Sequence, residues 1–158
     1  MRNGIPLTDE NRLPWLTNIR DYLLAMAKNG QSVVLACSAL KQKYRHFLNQ
    51  GLDDPLIFIF LNTDQAIIQK RLESIERLGH FLTDSLRILP SQFSALELPT
   101  SDHSIESFES GYLCKETSTE NNLFYYIYVM NCNAEITQNK CLNIICNQIL
   151  CLKYFIKN

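Results

Sequence analysis

Two short, unbroken apolar runs, Ser32–Cys37 ("SVVLAC") and Pro55–Leu61 ("PLIFIFL"), each lead into a segment of helical periodicity. A run of this length without polar alternation is what a strand covered on both faces requires. A third run, "LFYYIYVM" at 123–130, precedes another periodic segment. Apolar strands alternating with helices predict an α/β fold, a parallel sheet sandwiched by helices. Ligands of such sheets bind beyond the carboxyl ends of the strands, so the strand-to-helix junctions are the places to look for chemistry.

The remaining elements follow from local signals. Thr8 or Asp9 can cap a first turn whose positive end suits Asp9 and Glu10. A helix is predicted from about 14 to 29, with Leu16, Ile19, Leu23 and Met26 at helical spacing and Gly30 as its stop. Residues 38–51 read as a helix with Tyr44, Phe47 and Leu48 inward, and residues 65–78 as another with Ile68, Leu72 and Ile75 on one face. An irregular piece at 79–90 precedes a short helix at 91–97. Residues 99–122, rich in Ser, Glu and Thr, read as a long surface loop, and 134–155 as a closing helix.

Composition bounds the function class. The chain has 158 residues, 46% of them hydrophobic and 20% charged, which suits one globular domain with a core. A net charge of −1 with no Lys/Arg block speaks against a nucleic-acid or polybasic membrane surface. No apolar run is long enough to span a bilayer, so the cytoplasm is the expected location. The six cysteines form no C-x-x-C pair and the last four have no His among them, so free thiols in a reducing compartment are expected rather than a metal site.

Three places could carry chemistry. The junction after the first apolar run delivers Ser38, then Lys41 and Arg45 four apart on the next helix. A helix N-terminus with a hydroxyl and two cations suits an anion or a polyhydroxy acid, and the same residues equally make a solvated face with a capping Ser. Lys70, Arg71 and Arg77 run into Gly79 and His80, a basic helix end that could close over phosphates or simply be a charged face interleaved with Glu73 and Glu76. In the opening segment Asp9 and Arg12 could meet a substrate or pair locally.

Three stretches together resemble the gluconate kinase family of small P-loop sugar-acid kinases: "GIPLTDENRLPWL", "VVLACSALKQKYRHFL", and "GHF" followed by "SQFSALELP". The resemblance runs from about Gly4 to Pro99, more loosely to "YYIYVMNCNAEI". It divides the chain into a kinase-like core at 1–99, a loop or insert at 100–122, and a last strand with a C-terminal helix at 123–158. It implies transfer of the ATP γ-phosphate to D-gluconate, giving 6-phosphogluconate, with Mg²⁺ as cofactor and a homodimer as a common form. By the same likeness Asp9, Arg12, Ser38, Lys41 and Arg45 fall near the sugar acid, and Arg71, Arg77 and His80 at or beside a lid over ATP.

The departures are as informative. The family begins with a strand, a Gly-rich loop and a helix ahead of the stretch that matches "GIPL". The five glycines here are Gly4, Gly30, Gly51, Gly79 and Gly111, and none belongs to G-x-x-x-x-G-K-[ST]. The lid stretch "GHFLTDSLRILPSQF" is also longer than the family pattern. The expectation is therefore a truncated, inactive chain that is marginally stable, with Met1 internal to a longer protein and the catalytic base unknown. The alternative is a non-catalytic kinase-like remnant acting as a binding or interaction module. A small kinase for shikimate or a nucleotide is a third reading, disfavoured by "ACSALK" and "GIPL".

Overall fold

The structure is a computed structural model and describes residues 8–76, 85–99, 104–108, 111–117 and 124–131. In chain order it contains α1 (Asp9–Lys28), α2 (Gln42–Asn49), β1 (Ile57–Asn62), α3 (Gln65–Glu76), α4 (Ser85–Ala95), β2 (Ser104–Phe108), β3 (Gly111–Thr117) and β4 (Phe124–Asn131). The α/β class stands, but the sheet is mixed. Its order is β1-β4-β3-β2, with β1 parallel to β4 and the other two pairings antiparallel.

Two differences from the sequence reading explain this. Residues 32–37 form no strand, because a strand persists only through a ladder and the sheet order puts no described strand beside them. Val34 is fully exposed and Leu35 43% exposed, while Cys37 at the far end packs into the core. The segment at 99–122 is not simply a loop. It contains β2 and β3, a hairpin held by cross-strand pairing and, in β3, by the buried Leu113 and Cys114.

Both amphipathic openings begin earlier than local signals suggest. Thr8 caps α1, its hydroxyl accepting the Asn11 amide at 3.2 Å, so the helix starts at Asp9 and runs through Pro14. Helix α4 starts at Ser85 rather than 91 and runs through Pro90. In each case Pro is the sixth helical residue, where one i→i−4 bond is lost and the rest of the helix continues. Helix α2 is shorter than expected: residues 38–41 form its approach, with Ala39 at φ +28°, and it stops before Gly51 at φ +81°. The closing helix at 134–155 lies outside the described residues, as do Cys132, Cys141, Cys146 and Cys151.

Among the described residues the core has two adjoining parts. Leu16 of α1 packs with Ala39, Tyr44 and Leu48, joined by Ile19, Cys37, Phe47, Leu56 and Phe58. Cys114, Ile127 and Val129 form the second part across β3 and β4, with Phe58 and Phe60 of β1 touching it. Phe58 thus connects the helical layer to the sheet. The buried Asn49 side chain accepts the Leu56 amide at 2.7 Å, tying the end of α2 to the start of β1.

Leu48→Ala should lower unfolding stability by about 2–5 kcal/mol, whereas Val34→Ala should change it by no more than about 0.5 kcal/mol. Urea titrations followed by circular dichroism measure both.

Candidate functional site

Helix α1 begins where α2 begins. The Thr8 cap holds the first turn of α1 in place, and Leu16 buried against Tyr44 and Leu48 sets its distance from α2. As a result Asp9 faces the first turn of α2, more than thirty residues later in the chain. Its carboxylate accepts Lys41 Nζ at 2.9 and 3.2 Å on its two oxygens. Lys43 Nζ donates to one of these oxygens and the Tyr44 hydroxyl to the other. Three cations surround the Tyr44 ring: Arg12 lies 5.9 Å, Lys41 5.7 Å and Lys43 5.9 Å from its centroid.

The electrostatic consequence is clear in direction. Hydrogen bonds from Lys43, Tyr44 and Lys41, in that order, hold the Asp9 carboxyl well below the usual carboxylate range. Burial, and then the bond to Asp9, push the Tyr44 phenol above its ordinary value, so it remains a proton donor at neutral pH. The cluster is reachable by solvent: the Asp9 side chain is 41% exposed. A concentration of ammonium and guanidinium groups around one carboxylate can bind a small anion or polyol by charge-assisted hydrogen bonds.

The approach to α2 is built separately. Arg45 is buried, 5% exposed, and its guanidinium donates to the carbonyls of Ala39 at 3.2 Å, Leu40 at 3.4 Å and Glu97 at 3.3 Å. Glu97 Oε2 in turn accepts the Gln42 amide at 2.6 Å, at the N-terminus of α2. Ser38 is exposed on the same approach.

Of the residues singled out from sequence, Asp9, Arg12 and Lys41 come together, with Ser38 three residues before Lys41. Arg45 lies beneath them, bonded to backbone carbonyls rather than pointing to an open cleft. Arg71 is exposed on α3 and makes no hydrogen bond or ion pair with the cluster among the described residues; Arg77 and His80 lie outside those residues. Sequence reasoning missed Lys43 and Glu97 as parts of this constellation. Lys43 sat in plain view next to Lys41, but only the fold reveals that it reaches Asp9. Nothing in local spacing links Glu97 to Gln42, 55 positions away.

The described residues do not fit a metal–nucleotide centre. No group of three His, Cys, Asp or Glu side chains lies together among them. Both Asp9 oxygens are engaged by Lys and Tyr donors, and the sequence has no Gly-rich phosphate loop.

No protein-family model matches the chain. Individual relatives do. It is 43% identical over 105 residues to a gluconokinase of Gluconobacter oxydans, covering 66% of this chain and 56% of that protein. It is 42% identical over 117 residues to a probable gluconokinase of Rattus norvegicus, covering 63% and 61% respectively. Among solved structures, an unliganded sugar kinase from Janibacter sp. HTCC2649 aligns with a TM-score of 0.56 at 40% identity, over 65% of this chain and 56% of that one. The chain thus spans between half and two thirds of the length of the relatives it matches.

Asp9→Asn should reduce stability at neutral pH. A carboxyl depressed by folding contributes stability above its unfolded value, near about 3.9, and loses it as pH falls toward the folded value. The gap in urea midpoint between wild type and Asp9→Asn should therefore be widest above pH 5 and shrink below pH 4. Raising the salt concentration should narrow it at every pH.

Proposed function

We propose, starting from a chain that belongs to the gluconokinase family over the residues it shares with those relatives, that the cluster at the head of α2 is the sugar-acid side of a gluconate phosphotransferase. The observation that carries this reading is the convergence of Asp9 and Arg12 with Lys41 and Tyr44 in one solvent-reachable cluster. These residues come from the two stretches that most resemble the family, "GIPLTDENRLPWL" and "ACSALKQKYR".

The chemistry of D-gluconate suits that set. Its carboxylate is an acceptor for Lys41 and Arg12, and its hydroxyls pair with Ser38 and with Asp9, which as a carboxylate only accepts. Arg45 supports the loop from below. Arg71, Arg77 and His80 belong by family likeness to the nucleotide side in this reading, with ATP as phosphoryl donor. The product is 6-phosphogluconate. The cytoplasm as location, expected from the sequence, and a homodimer as assembly, which rests on family likeness, complete the reading.

A second reading keeps the same cluster without the chemistry. Phosphoryl transfer depends on a preorganised amide cradle and its Lys, and the 158 residues contain no G-x-x-x-x-G-K-[ST]. In this reading these residues bind the sugar acid and do not turn it over.

Isothermal calorimetry with gluconate, using sorbitol as the uncharged control, tests the shared claim. Gluconate should bind and sorbitol should not, and Lys41→Ala should weaken gluconate binding by about 1.5–3 kcal/mol, the loss of one charge-assisted contact. A folded chain with no gluconate affinity sinks both readings. A coupled ATP-consumption assay then separates them: gluconate-dependent turnover supports the phosphotransferase, and binding without turnover supports the second reading.

A further inference from the structure

We infer that Glu97 is a positioning residue: it clasps the approach to α2 from the far side and so holds Lys41 where the sugar acid would meet it. The inference rests on the sugar-acid reading of the Lys41 cluster. Glu97 lies just past the end of α4, yet it uses three separate groups on the α2 approach. Its amide donates to the Leu40 carbonyl at 2.9 Å. Its carbonyl accepts Arg45 Nη1 at 3.3 Å, and its carboxylate accepts the Gln42 amide at 2.6 Å.

The approach needs such a clasp. Ala39 carries a positive φ of +28°, a region that non-glycine residues rarely adopt and that persists only where the surroundings hold it. Lys41 is the residue before the first turn of α2, and its own side chain makes no capping bond there. The Gln42 amide would otherwise be one of the open donors of a helix start. Glu97 fills that role from outside, and a carboxylate there also complements the positive end of the helix. Arg45 closes the ring, donating at once to Ala39, Leu40 and Glu97.

Lys41 is therefore gripped from two directions. Its ammonium is set by Asp9 and its backbone by the Glu97 clasp on either side of it, at Leu40 and Gln42. Helix α4 and the Lys41 turn become mechanically one piece, so displacement of α4 displaces a residue that it does not touch through the Lys41 side chain.

The test compares Glu97→Ala with Glu97→Gln in the full chain, since the Gln carboxamide oxygen can still accept the Gln42 amide. Three readouts are used: hydrogen exchange across 39–45, the rate of Lys41 acetylation by acetic anhydride followed by mass spectrometry, and gluconate affinity. In Glu97→Ala, exchange at 39–45 and Lys41 labelling should each rise about tenfold and gluconate affinity should fall about tenfold, with β1 and β4 protection unchanged. Glu97→Gln should stay within about twofold of wild type in all three. Unchanged exchange and labelling in Glu97→Ala overturn the inference, and so does a loss of protection that extends equally to β1 and β4. If the wild type fails to bind gluconate while Glu97→Ala alone still frees the 39–45 segment and Lys41, the sugar-acid reading falls and the clasp stands.

Discussion

Everything at the site depends on how the first turn of α2 is held. A short helix of eight residues has little stability of its own. Here two carboxylates from distant parts of the chain fasten its beginning. Asp9 takes the side chains of Lys41, Lys43 and Tyr44, and Glu97 takes the Gln42 amide. Buried Tyr44 and Leu48 anchor the same helix beneath, against Leu16 of α1. The polar grip and the apolar anchor act on adjacent residues, so the charged face cannot shift without disturbing the core.

That arrangement explains the division of labour among the cations. Arg45, buried, has its planar fork committed to backbone carbonyls, a task that an ammonium with a single point charge performs poorly. Lys41 and Lys43 remain nearer the solvent, where a flexible ammonium can exchange one anionic partner for another. Arg12 sits over the Tyr44 ring and adds positive potential to the cluster. The geometry supplies the reason that these particular side chains are in one place.

Much of this was legible in the sequence, unevenly. The α/β class, β1, β4, a cap at Thr8 or Asp9 and the inward faces of α1 and α2 follow from periodicity and capping chemistry, which are local. The pairing of Asp9 with Lys41 was not accessible to spacing, because it is made by the packing of Leu16 on Tyr44 and Leu48. The strand expected at 32–37 failed for a non-local reason: apolar content permits a ladder but does not provide a neighbour. The β2–β3 hairpin escaped notice for the converse reason: the short apolar stretch Tyr112–Cys114 is set among Ser, Glu and Thr, and it is the pairing with β4 that buries it. Pro14 and Pro90 misled because a proline six residues into a helix removes one bond, and the turns around it suffice.

The parallel ladder joins Ile57 to Tyr126 and Asn62 to Asn131, strands that lie far apart in the chain. During synthesis β1 therefore leaves the ribosome long before the strand that will flank it exists. For that interval its Ile-Phe-Ile-Phe edge is open, a segment of high β-propensity with no charge to discourage association. The α1–α2 pair, whose contacts are closer in sequence, can form meanwhile and cover Phe58 from one side. Nascent-chain quality thus depends on the helices arriving first, and a cell making this protein quickly would draw on its chaperones at the point where β1 has emerged and β4 has not.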